Sequence, residues 1–209
     1  MSTTPYVTLL GFTRYVGRTG PGKARFVGGL RRQHESSSGF NPHGQLVKAL
    51  KSDIDFSTPG IHLESVANLV KPRWQPMYQA LTVGALGYLH SLGPLTDVHI
   101  AQTRAALGVL GGLTVKINPH FGLRYEDGRA EAVRLHFDEE APRAETVVAA
   151  LHLMGRHMEQ VLPRAEPVLV DVRRAIVHRP DPASRSEDVE SWLAGEAAAF
   201  SAMWSSAAA

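Results

Sequence analysis

The chain has 209 residues, 44% hydrophobic and 20% charged, with a formal net charge of +2 and no cysteine. Such proportions belong to a folded globular protein, and the missing cysteines exclude disulfides, thiolate nucleophiles and every Cys-ligated zinc or iron–sulfur site. No run approaches the roughly 20 apolar residues that cross a bilayer, and Met1–Tyr15 lacks the basic start, apolar run and cleavage site of an export signal, so a cytoplasmic protein without membrane contact is expected.

In chain order, Tyr6–Phe12 reads as a short strand, Gly17–Lys23 as a glycine-rich turn, and Phe26, Val27 and Leu30 as a helix weakened by Gly28 and Gly29. The loop Glu35–Gly44 precedes a short helix through Leu46, Val47 and Leu50. Met77, Tyr78, Leu81, Ala85, Tyr88, Leu89 and Leu92 recur at spacings of three and four, which predicts an amphipathic helix starting near Pro76 and ended by Gly93-Pro94. Thr96 is placed to cap another helix running to Leu110, where Gly111-Gly112 stops it.

The period then changes to two. Leu113, Val115, Ile117, Phe121, Leu123 and Tyr125 alternate with polar residues as one strand interrupted at Pro119. A second strand carries Val133, Leu135 and Phe137 inward and Arg134, His136 and Asp138 outward. A three-residue loop Asp127-Gly128-Arg129 pairs Phe121 with Leu135, Leu123 with Val133 and His120 with His136, keeping apolar residues on one face. A helix over residues 143–162 follows, with His152, Arg156 and Glu159 on its solvent side. Val168–Val172 is a buried strand, Ile176 and Val177 continue it or fold back, Ser184 and Glu187 have capping-box spacing, and Trp192, Leu193, Phe200 and Trp204 lie on the docking face of a C-terminal helix. The expected fold class is α+β: a helical N-terminal two-thirds, then a β-hairpin–helix–strand unit and a docking helix. Its segments are 1–44, basic and glycine-rich; 45–112, helical; and 113–209, the α/β unit, all within one compact domain.

Charge is divided along the chain. Residues 1–75 hold ten Lys/Arg against four Asp/Glu, a surplus of six; residues 76–209 hold twelve against sixteen, a deficit of four. Either the halves attract each other, or Arg14, Arg18, Lys23, Arg25, Arg31, Arg32, Lys48 and Lys51, interleaved with Tyr6, Phe12, Tyr15, Phe26 and Phe40, form a surface for a phosphate or polyanion.

Gly17, Gly22 and Lys23 fit G-x-x-x-x-G-K, but Ala24 replaces the magnesium-binding hydroxyl and Pro21 removes an amide donor. Val168–Asp171 has the form of an apolar strand ending in a magnesium-binding Asp. His120, Arg134, His136 and Asp138 form a possible site on the hairpin face, where two imidazoles and a carboxylate suit a shared proton or a divalent metal; histidines on an ordinary sheet face are the preferred reading, and no metal or cofactor is assigned. The order helix–strand–strand–helix–strand, with the acidic cluster Asp127, Glu131, Asp138, Glu139 and Glu140, resembles the core of the PD-(D/E)XK nucleases. That family needs an Asp and then E-x-K on the next strand; Glu131 is followed here by Ala132 and Val133, so the lysine is missing.

With no complete catalytic set, the sequence favours a non-enzymatic binding module that contacts nucleic acid or an acidic protein through its basic N-terminal half. The alternatives are a phosphate- or nucleotide-binding enzyme using the glycine-rich loop, a degenerate nuclease fold, and an interaction or scaffold protein. Oligomeric state is not fixed by any of these residues.

Overall fold

The structure, a computed structural model, describes residues 6–35, 41–181 and 187–206. The strands are β1 (Tyr6–Thr8), β2 (Val98–Ala101), β3 (Ala106–Leu110), β4 (Leu113–Ile117), β5 (Phe121–Tyr125), β6 (Ala130–His136), β7 (Glu166–Asp171) and β8 (Ile176–His178). The helices are α1 (Leu9–Val16), α2 (Pro21–Glu35), α3 (Gly44–Asp55), α4 (Ile61–Leu69), α5 (Gln75–Ser91), α6 (Ala144–Arg156), α7 (Met158–Val161) and α8 (Glu187–Ser206). One sheet has the order β1-β4-β3 and the other β2-β5-β6-β7-β8; β1 with β4 and β6 with β7 are parallel pairs, the rest antiparallel.

Strands interrupt the helices from the first described residues, so the α+β class stands but a helical N-terminal two-thirds does not. Thr8 ends β1 after three residues because its hydroxyl accepts from the Gly11 amide at 3.2 Å and caps α1. The helix expected after Thr96 is replaced by β2 and β3. The Thr96 hydroxyl donates to the neighbouring Asp97 carboxylate instead of capping a helix, and Val98, Ile100 and Val109 are β-branched, with Gly108 among them. Pro119 separates β4 from β5 so completely that they belong to different sheets.

Three packed clusters explain the layering. Leu46, Leu50 and Ile54 of α3, Leu63 of α4, and Leu81, Ala85 and Leu89 of α5 bury one face of the five-stranded sheet with Val133, Leu135, Val168 and Val170. On its other face, α6 covers Leu169 and Ala132, while α1, α2, α8 and the three-stranded sheet pack around Phe12, Tyr15, Val115, Leu193 and Phe200. The sheet is therefore covered on both sides. Arg134 and His136, expected outward, are only 6% and 7% exposed. His152 is also covered, its side chain 8% exposed, because α8 brings Glu190 to within 2.7 Å of its Nε2. The expected helix over 143–162 breaks at His157 into α6 and α7.

The hairpin register also differs from expectation. Phe121 pairs with Val133 and Leu123 with Glu131, and the Tyr125 amide donates to the Arg129 carbonyl at 2.9 Å, so the loop is Glu126-Asp127-Gly128. Gly128 has φ +89°, a left-handed conformation that only glycine adopts freely, and a three-residue hairpin loop places that conformation at its last position. His120 consequently does not sit opposite His136.

Candidate functional site

β6 and β7 run parallel, and the C-terminal end of β6 meets the α1–α2 connection. Crevices at the carboxyl ends of parallel strands are where open α/β sheets bind ligands. A cleft of about 540 Å³ lies at the end of β6, lined by Arg14, Arg18, Thr19, His136, Asp138 and Arg143 among others. The first turns of α2 and α6 border it, and neither places an acidic side chain in the lining; helix N-termini carry partial positive charge. Gly17 lets α1 end against α6 here, since a Cβ at that position would lie 2.4 Å from the Thr146 hydroxyl.

Charge in the cleft is mixed. Arg14 grips Asp138 through both Nε, at 3.0 Å, and a terminal nitrogen. Glu139 and Glu140 line the same space, and Arg174 donates to the Glu139 carbonyl at 2.6 Å while its other terminal nitrogen reaches Asp171 at 2.9 Å. Behind this rim Arg134 is buried, with Nη1 donating to the Asn118 carbonyl at 2.7 Å. Burial, and then the nearby Arg14 charge, push its pKa down to about 10, so it remains cationic at neutral pH. His120 accepts the Leu135 amide on Nδ1 at 2.9 Å; burial, then Arg134 and His43, hold its pKa well below that of an ordinary imidazole. His136 is placed by the Glu140 carbonyl, 3.1 Å from its Nε2.

No family model and no curated protein matches the chain, so the residues of the cleft alone speak to its role.

Two separately predicted groups share this cleft: Arg14 and Arg18 from the basic segment, and His136 and Asp138 from the hairpin face. Arg25 and Arg32, seven residues apart, share one exposed face of α2. Arg18 lies over the Phe26 ring at 4.6 Å, beside the first turns of that helix. The other basic residues are placed elsewhere. Lys23 is inside α2 and bonded at 2.6 Å to both oxygens of Glu196, so the Gly17–Lys23 stretch does not present it as a phosphate-loop lysine would. Arg31 donates to the Trp204 carbonyl. Lys48 and Lys51 are on α3, in the layer across the sheet, and do not line the cleft. Phe40 and Ser184 lie outside the described residues.

The acidic cluster is split between the two ends of β6. Asp127 and Glu131 lie at the hairpin turn and Asp138, Glu139 and Glu140 at the far end, seven or more residues along an extended chain. Among the described residues no group of three or more His, Asp and Glu side chains is placed to hold a metal ion. Asp171, at the end of its apolar strand, is buried with Arg174 on one oxygen and, among the described residues, no partner on the other. Arg143 and Thr146 belong to no motif in the sequence. Their only signal is position, at the start of a helix that follows a strand end.

Proposed function

We propose that the protein is a non-enzymatic binding module for the phosphate backbone of nucleic acid. The observation that carries this reading is the meeting of Arg14, Arg18 and Arg143 around one cleft beside the exposed Arg25/Arg32 face of α2. Guanidinium groups match phosphate oxygens in forked geometry, and the N-terminus of α6 adds amide donors, whereas α2 opens on Pro21 with the Gly22 and Lys23 amides already bonded to the Thr19 and Gly20 carbonyls. The three carboxylates of the cleft offset its arginines, so the surplus of positive charge comes from α2. A phosphate entering the cleft competes with Asp138 for Arg14. No helix of the described residues is long and apolar enough to cross a membrane.

Fluorescence-anisotropy titration with labelled single-stranded and duplex oligonucleotides at rising salt tests this. Affinity should fall linearly in log–log form, and the triple substitution Arg18→Gln, Arg25→Gln, Arg32→Gln should flatten the slope by about one for each phosphate no longer neutralised. An unchanged slope in the triple variant rules the surface out. Binding to an acidic protein but to no oligonucleotide would replace nucleic acid with that partner.

A further inference from the structure

A second polar site, independent of the proposed nucleic-acid surface, lies at the hairpin-turn end of the five-stranded sheet. A pocket of about 390 Å³ opens there between α5, the β5–β6 turn and the segment around β8; Tyr88, Tyr125, Arg129, Val177 and Arg179 line it. Such a volume falls within the range of small-molecule pockets.

The pocket rests on a buried carboxylate whose two oxygens are both occupied. Tyr125 donates its hydroxyl to Glu131 Oε2 at 3.0 Å, and Arg179 donates Nη2 to Oε1 at 2.7 Å. Arg129 lies over the Tyr125 ring at 4.2 Å, with Nε bonded to the exposed Asp127 at 2.6 Å. These contacts fix both guanidinium groups at the pocket wall while engaging one nitrogen of each. Nε and Nη1 of Arg179 and both terminal nitrogens of Arg129 have no partner among the described residues.

Tyr88 completes the wall. It is 1% exposed, and its hydroxyl has no hydrogen-bond partner among the described residues. Buried hydroxyls are nearly always paired, and an unpaired one calls for a physical reason. Burial, then the Tyr125 and Glu131 charges, raise the Tyr88 pKa well above that of a free phenol. The group therefore keeps its proton and can act as a donor at any physiological pH. A neutral donor lining one pocket with two guanidinium groups that have spare N–H groups is complementary to an acceptor that carries negative charge.

We propose that this pocket binds a small oxyanion, a carboxylate or phosphate group held between Arg129 and Arg179 and accepting a hydrogen bond from the Tyr88 hydroxyl. Both Glu131 oxygens are taken up by Tyr125 and Arg179, and of the Arg129 guanidinium Asp127 engages only Nε, its other oxygen accepting the Arg129 backbone amide.

The test uses the full chain, with inorganic phosphate, acetate and benzoate as probes at constant ionic strength, read by thermal midpoint and isothermal calorimetry. At least one probe should bind saturably, and the comparison of phosphate with the two carboxylates identifies the preferred group. Tyr88→Phe keeps the ring and its packing. It should leave the ligand-free midpoint unchanged or higher and weaken binding about tenfold. Arg129→Gln, at an exposed side chain, should weaken it by a similar factor. The proposal is overturned if no probe binds saturably, or if Tyr88→Phe binds as the native chain does. A drop in the ligand-free midpoint of Tyr88→Phe with unchanged affinity would show that the hydroxyl serves the fold through water. Loss of binding on Arg18→Gln, with Tyr88→Phe unaffected, would put the anion in the other cleft.

Discussion

His120 is buried with its Nδ1 accepting the Leu135 amide, an arrangement open only to the neutral ring. Its pKa is held well below the ordinary imidazole value by burial, then by Arg134 and His43. His43, stacked on Phe137 at 4.3 Å, is lowered in the same direction, first by burial and then by Arg14. Between the depressed folded pKa and the unfolded value near 6.5, the unfolded chain binds protons that the folded chain refuses. Stability is therefore fully present above about pH 6.5 and declines as pH falls toward the folded pKa, at most by about 1.4 kcal/mol per pH unit for each such group. Urea denaturation from pH 7.5 to 5 should show this slope, and His120→Gln should flatten it while costing stability at pH 7.5. A slope identical in the variant would assign the acid sensitivity to other groups.

Among the elements, α8 carries the clearest link from sequence to packing. Its apolar positions predict a docking face, and Leu193, Ala197 and Phe200 are buried as that spacing requires. Phe200 meets Tyr15 edge-on at 5.1 Å and stacks with Trp204 at 5.9 Å. Replacing it by alanine leaves a cavity among α1, α2 and α8, and Phe200→Ala should cost about 3–5 kcal/mol in urea denaturation, with loss of the near-ultraviolet dichroism of Tyr15 and Trp204. A loss under about 1 kcal/mol would show that the helix end is not docked. The stripe of α5 was equally legible, because Tyr78, Leu81, Ala85, Tyr88 and Leu89 face a single covered sheet. What local pattern could not convey was pairing at a distance. β1 is three residues long and exists through its parallel partner β4, more than a hundred residues later. Arg134 and His136 looked solvent-facing because a covered second face is created only when α6 returns over the sheet. The hairpin register was in fact readable, since Gly128 alone supplies the left-handed residue that ends a three-residue loop. Of the candidate site, Arg14, Arg18, His136 and Asp138 were named from sequence, but their convergence depends on α1 packing against α6.

For the molecule as a whole, the division of charge between the two parts of the chain is partly consumed by internal attraction. Arg14 pairs with Asp138, and Lys23 with Glu196, each joining the basic opening segment to the acidic remainder. The second pair is the better buried, both side chains being 17% exposed, and it sits where α2 docks on α8. Lys23 also lies 5.0 Å above the Tyr15 ring, so its charge is held from two sides. Breaking such a pair from one side leaves a mostly buried charge without its counterpart, whereas removing both groups together leaves none. The double substitution Lys23→Met, Glu196→Gln should therefore cost less than the sum of the two single ones, and a double-mutant cycle should return a coupling of about 1–3 kcal/mol. Because the pair is only slightly open to solvent, that coupling should persist at about 0.5 M salt, where the α2 face of Arg25 and Arg32 is screened. A coupling near zero, or one abolished by salt, would mean that Lys23 is as available to a polyanion as its neighbours, and the basic surface would then extend along α2 to the α8 contact.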